Sequence, residues 1–212
     1  MTASDSVRAA LEGVRDLYTK NLAEHGFNSK SVGWKDEASQ LLRFGKLTEL
    51  IEADAQEITV NDWGSGYGAM FDYLSNRLGD RLRAYRGYDI SSEMHDAAQA
   101  RVTDTRASFL LGAELSPADY AFVSGTFNVR FEASDDDWDA WVKDRLRELA
   151  ASSARGFSFN LLSSYVDWKE PQLFYADPRE YFDFCKRELS PSVSLLHDYP
   201  LYEWTILVRT AT

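Results

Sequence analysis

The stretch ITVNDWGSGYGAMFDYL, residues 58–74, constrains the fold more than any other part of the chain. A β-branched run ends in Asp62, glycine then takes residues 64, 66 and 68, and an apolar pattern of helical spacing follows with Met70, Phe71, Leu74 and Leu78. That order predicts a strand, a turn and a helix. A tight turn of this kind can form without any ligand, but it needs one glycine rather than three alternating ones. Glycine admits positive φ and lets a ligand lie on the main chain without meeting a Cβ. The spacing is G-x-G-x-G, not the G-x-G-x-x-G of dinucleotide sites, and no Gly-Lys-Ser/Thr follows, as a phosphate-cradling loop requires. A carboxylate beside the turn is a poor neighbour for a pyrophosphate and a good one for an amine.

The remaining chain alternates the same two kinds of element. Residues 5–24 carry Val7, Leu11, Val14, Tyr18 and Leu22 at helical spacing, and 36–53 carry Leu41, Leu42, Phe44, Leu47, Leu50 and Ile51. Strands are expected in 82–90, 107–115, 119–127 and 156–162. Helices are expected in 91–102, capped by Ser91 or Ser92, in 134–154, capped by Ser134, and in 177–189, capped by Asp177. Two last strands, 192–199 and 202–210, stand too close together for a crossover helix and predict an antiparallel closing pair. Strand–helix alternation predicts an α/β fold: a doubly wound, mostly parallel seven-stranded sheet with an antiparallel edge strand and helices on both faces. In such sheets a ligand sits beyond the carboxyl ends of the strands, at the switch point.

At 212 residues and 44% apolar content the chain suits a single domain with a sizeable core. A formal net charge of −11 argues against nucleic-acid or membrane partners. The single cysteine, Cys185, excludes an internal disulfide and a cysteine-built zinc cluster. The first residues lack the apolar run of a signal peptide, so a cytoplasmic protein is expected, as a monomer or homodimer. Asp135, Asp136 and Asp137 read as a solvated helix start rather than a metal site. No metal is expected.

Asp89 lies 21 residues after Gly68, at the tip of the second strand. An acid there suits two ribose hydroxyls, and it also suits a cap for the helix beginning near Ser91. An amine-bearing tail and a ribose together suggest S-adenosyl-L-methionine. VNDWGSGYG, YDIS, GAEL and ADYAFVSGTFN, in that order, resemble the successive motifs of class I S-adenosylmethionine-dependent methyltransferases, over roughly residues 30–209. SVGW and RF near the N-terminus, and YADP and HDYPLYEWT late in the chain, extend the likeness to bacterial small-molecule enzymes of that family.

The resemblance implies a Rossmann-like methyltransferase domain over 1–212, with 1–54 as a helical segment covering the cofactor site. It implies that Gly64, Ser65, Gly66 and Gly68 lie against the methionine part, that Asp62 holds the amine, that Asp89 binds the ribose and that Ile90 packs on adenine. Ala113 and Glu114 would lie at the adenine amino group, although the family's usual acid stands one position before Glu114. Ser124 and Gly125 would lie beneath the cofactor. Trp63 stands where a small aliphatic residue is usual, so it must fit behind the loop. Trp34 would close over the site, and Arg43 would pair with the methionine carboxylate; a core tryptophan and a surface arginine are the alternatives.

Methyl transfer from a sulfonium needs alignment more than proton chemistry, and a base only where the nucleophile must lose a proton. No catalytic residue is assigned. Phe127, Asn128, Tyr165, Asp167 and Tyr175 follow the fourth and fifth strands and are candidates for a small-molecule acceptor. Tyr18 and His25 are candidates to cover the site, and His197 reads as a strand residue. The implied activity is methyl transfer that leaves S-adenosyl-L-homocysteine; a non-catalytic cofactor-binding or regulatory protein is the alternative.

Overall fold

The computed structural model describes residues 4–112 and 114–210. Strands β1 (Ile58–Trp63), β2 (Leu82–Asp89), β3 (Ala107–Leu111), β4 (Ala118–Val123), β5 (Ser153–Ser163), β7 (Ser192–Leu196) and β8 (Glu203–Arg209) form one sheet in the order 3-2-1-4-5-8-7, and the two-residue β6 (Tyr175–Ala176) adds to the end of β5. The chain starts at the centre, steps out to β3 and returns beside β1 as β4, so the switch point falls between β1 and β4. β8 runs antiparallel to both β5 and β7. Of the closing pair, β8 is therefore the reversed strand, and β7 lies outermost, parallel to the rest.

Helices α1 (Asp5–His25), α2 (Glu37–Leu47), α3 (Ala69–Leu78), α4 (Ser92–Arg101), α5 (Asp135–Ser152) and α6 (Pro178–Phe184) cover the sheet. Side chains of a strand point alternately to its two faces. In β4, Tyr120 and Phe122 enter a core with Phe44, Leu47, Met70, Phe71 and Leu74 of α2 and α3. Ala121 and Val123 enter a second core with Val7 and Ala10 of α1 and with Trp138, Val142, Leu146 and Tyr181 of α5 and α6. Caps fall where short polar side chains precede the apolar stripes: Ser4, Asp36, Ser91, Ser134 and Asp177 each accept a backbone N–H of the following turn. The helix expected to end near residue 53 stops at Leu47 and tightens to a 3-10 turn over Thr48–Leu50. The one expected over 177–189 passes after Phe184 into a π turn, Cys185–Leu189. Among the described residues no helix is long and apolar enough to cross a membrane.

Trp138 shows how this core reaches the site. It is fully buried, and its indole N–H donates to the Phe127 carbonyl at 2.8 Å, which ties α5 to the loop after β4. Trp138→Ala is expected to lower stability by about 3–5 kcal/mol, measured by urea unfolding; a loss under about 1 kcal/mol would mean that the loop is held by other contacts.

Candidate cofactor site at the switch point

The turn after β1 is built as the three glycines require. Gly64, Gly66 and Gly68 have φ of +83°, +53° and +84°. A Cβ on Gly64 would lie 2.1 Å from Thr126 Oγ1, so the loop after β4 touches this backbone directly. The turn is then clamped by the tip of β2. The amides of Gly64 and Ser65 both donate to the Tyr88 carbonyl, at 2.8 and 2.9 Å, and the Gly66 amide donates to Asp89 Oδ2 at 2.8 Å. The other Asp89 oxygen accepts the Ser91 amide at 2.9 Å. Ser91, not Asp89, caps α4. Burial pushes the Asp89 carboxyl up, while the N–H groups of Ser91, Gly66 and Ile90 pull it partway back.

Between this turn and α1 lies a cavity of about 200 Å3. Gly64, Gly66, Asp89, Ile90, Gly112, Ser124 and Gly125 line its sheet side. Leu11, Val14 and Tyr18 of α1 roof it, and Trp63, Met94, Trp141 and Arg145 close its flanks. The roof is fastened at both ends: Ser6 donates to Asp137 at the start of α5, and Thr19 hydrogen-bonds Ser91 and Glu93 at the start of α4. Burial pushes the Tyr18 phenol up to about 12, and the charge of Asp89 adds to that.

A smaller compartment of about 30 Å3 adjoins it through Val32, Gly64 and Ser124, with Trp34, Gln40, Asp62, Ser65 and Tyr67 among its other walls. Asp62 sits under the turn, buried, and accepts the Tyr85 hydroxyl at 2.5 Å. Burial pushes its carboxyl up to about 7; the Tyr85 hydroxyl opposes that shift, and the charge of Asp89 adds to it.

Most of the expected positions converge here: Trp34, Asp62, Gly64, Ser65, Gly66, Asp89, Ile90, Ser124 and Gly125. Trp63 fits behind the loop as expected, packed on Phe127 and Trp141 at ring distances of 5.3 and 5.9 Å. Other expectations are corrected. Gly68 lines neither compartment; it opens α3, and a Cβ there would meet Phe109 at 2.9 Å. Glu114 is exposed on an outer groove with Pro117 and Glu148, because the chain turns away at Gly112, which lines the cavity instead. Ala113 lies outside the described residues. Arg43 is neither at the surface nor free: its Nε lies 2.7 Å from Glu203 Oε1, and its guanidinium stacks 3.7 Å from the Trp34 ring centroid.

The acceptor-side expectations divide. Phe127 is a fully buried core residue against Trp63, Trp141 and Phe159. Asn128 is buried and ties the loop after β4 to β5 and to the segment before β6, its Oδ1 accepting the Leu162 amide and its carbonyl the Phe174 amide. Tyr165 is exposed, with its ring 5.9 Å from that of His197, which stands in the turn after β7 rather than in a strand. Tyr175 is half-buried in β6, its hydroxyl accepting the Glu170 amide. Asp167 is exposed and His25 ends α1. Met94, Trp141 and Arg145 reach the cavity with no local signal in the sequence; they fall on helix faces whose neighbours only the fold supplies.

An acid whose pKa rises from 3.8 to about 7 on folding favours the fold fully below about pH 4 and loses that contribution as pH climbs through 7. Asp62→Asn removes this dependence. The stability of the native chain relative to the variant is therefore expected to fall by a few kcal/mol between about pH 4 and pH 8, in paired urea titrations. A constant difference would refute the shift.

No family model matches the chain. A Mycobacterium tuberculosis protein named "Putative methyltransferase Rv1506c" is 48% identical over 162 residues, spanning 74% of this chain and 96% of the relative. Among solved structures, magnesium protoporphyrin IX methyltransferase (ChlM) from Synechocystis with SAM bound superposes with a TM-score of 0.65 at 14% identity, covering 100% of both chains. The DhpI–SAM–HEP complex gives a TM-score of 0.61 at 15% identity, covering 97% of this chain and 99% of that one. Those two likenesses carry the fold, and the mycobacterial relative carries the family: the chain belongs to the class I S-adenosylmethionine-dependent methyltransferases.

Proposed function

We propose that the two compartments hold S-adenosyl-L-methionine, and that the chain transfers its methyl group to a small-molecule acceptor. The observation that carries this reading is the clamped glycine turn, with the Asp89 carboxylate facing a cavity at the switch point. The donors and shapes present suit that group. Asp89 offers acceptor oxygens where a ribose would lie, and Ile90 with Gly112 offers an apolar slot for a base. Gly64 and Gly66 offer bare backbone, and Asp62 offers a carboxyl for an ammonium. Solved neighbours of the same fold are described with SAM or SAH bound. ChlM is named for a porphyrin, and small acceptors are the class we favour here.

When bound, the cofactor supplies an activated methyl carbon. What this chain contributes is order and exclusion of water. The roof of Leu11, Val14 and Tyr18 would exclude water from a group held beneath it, and the N-terminal segment 1–54 acts as the cover of a single domain spanning 1–212. Trp34 closes the smaller compartment, Ser124 lines both, and Gly125 floors the larger. Among the described residues, the titratable residues lining the main cavity are Tyr18, Tyr88, Asp89 and Arg145, and the smaller compartment adds Asp62 and Tyr67. A sulfonium already carries an activated methyl, and a base is needed only where the acceptor must lose a proton, so proximity and alignment carry the rate. The acceptor would enter past the segment that follows β5, where Tyr165 stands exposed and Tyr175 lies in β6. The net charge of −11 disfavours nucleic-acid and anionic-membrane acceptors. We place the protein in the cytoplasm.

Titration calorimetry is expected to show S-adenosyl-L-homocysteine binding, with Asp89→Ala weakening it by at least about 1 kcal/mol. Unchanged affinity in that variant would overturn the ribose assignment. Incubating the protein with a metabolite pool and isotope-labelled cofactor, then reading the products by mass spectrometry, is expected to label a low-molecular-weight compound; label confined to protein or nucleic acid would overturn the acceptor class.

A further inference from the structure

One face of the β5–β8 pair is polar yet buried. Ser158, Asn160, Glu203 and Thr205 share it, all at most 1% exposed, and α2 lies over it with Ser158 donating to the Leu47 carbonyl. Within it Glu203 meets Arg43 at 2.7 Å. The contact is a charge pair rather than an aligned hydrogen bond, since neither carboxylate oxygen meets a donor in hydrogen-bond geometry. Burial pushes the Glu203 carboxyl up, while the charge of Arg43 pulls it partway back.

One arm leads from this carboxylate to the compartments. Through Arg43 it reaches Trp34, whose ring lies under the guanidinium at 3.7 Å and presses so closely on Gly125 that a Cβ there would fall 2.3 Å from it. Asn160, on the same face of the strand pair, holds that glycine separately, its Oδ1 accepting the Gly125 amide at 2.7 Å. Trp34 walls the smaller compartment, and Gly125, at φ +72°, floors the larger. Glu203, Arg43, Trp34 and Gly125 thus stand in a row that ends on one wall of each compartment.

We propose that Glu203 is a positioning residue for methyl transfer: acting through Arg43, it fixes Trp34 against Gly125 and so sets the spacing between a wall of the smaller compartment and the floor of the larger. This rests on the cofactor reading above. Glu203 lines neither compartment. A buried ion pair is weak evidence for stability, because apolar residues of similar size often serve the fold as well. What such residues would not supply is a planar cation held flat on an indole.

The test compares Glu203→Gln, Arg43→Gln, their combination and Trp34→Leu, each by thermal unfolding and by calorimetry with S-adenosyl-L-homocysteine. Each single change at the pair leaves a buried charge unpaired, and its melting temperature is expected to drop by several degrees. The double variant is expected to recover most of that loss yet to bind the nucleoside at least about tenfold more weakly than the native chain. Trp34→Leu, at a half-buried site, is expected to melt near the native temperature with a comparable loss of affinity. Added to the double variant it is expected to cause little further loss, since all three changes break the same contact. Native affinity in the double variant, or a full second loss when Trp34→Leu is added, would overturn the positioning role and leave the cofactor reading standing. A native chain that fails to bind the nucleoside would overturn both.

Discussion

The tip of β2 holds the structure's functional end together. The Tyr88 carbonyl takes two amides of the glycine turn and the Asp89 carboxylate takes a third, so the strand beside β1 dictates the path of the loop that leaves β1. Parallel pairing of Trp63 with Tyr88 brings them level. The same clamp fixes where Asp89 points, because a carboxylate that accepts two backbone amides has little freedom left. Arg101 secures the far side of the turn by donating to the carbonyls of Tyr67 and Gly68. A site made largely of backbone is thereby as rigid as the sheet beneath it.

Opposite that side the cover is a single helix. α1 buries Val7, Ala10 and Val14, with Val7 and Ala10 in the core beside Trp138 and Val142, and a few hydroxyl hydrogen bonds fasten its two ends. A one-helix cover suits a reaction in which the cofactor must enter and leave while the groups that align it stay still. The buried polar face under α2 belongs to the rigid side, and it links the cover residue Trp34 to the floor at Gly125.

Much of this was legible in the sequence. Glycine at residues 64, 66 and 68 is a backbone statement, and all three adopt the positive φ that their spacing called for. Asp62, Asp89, Ile90, Ser124 and Gly125 stand at strand tips, and a parallel sheet collects its strand tips at one end, so strand assignment alone places them together. The failures follow another pattern. Phe127 and Asn128 sit just past the tip of β4 yet turn into the core, since Trp138 on a distant helix takes the Phe127 carbonyl. Gly68 reads as part of the ligand turn and is in fact needed for the approach of Phe109 from β3. His197 lies one residue beyond the end of β7, in the turn that follows.

By itself, then, the sequence determined periodicity, caps, the glycine turn and the succession of strands and helices along the chain, because each of these is decided within a few residues by backbone sterics and by which face is apolar. It could not reveal which polar residues would be buried. Alternation in SFNLL and EWTIL reads as a sheet with one wet face, whereas α2 folds down on that face and turns Ser158, Asn160, Glu203 and Thr205 into an interior. Arg43 was then committed to Glu203, 160 positions away in the chain, since a carboxylate removed from water must find a cation. That pairing depends on the packing of whole elements, and only the tertiary structure decided it.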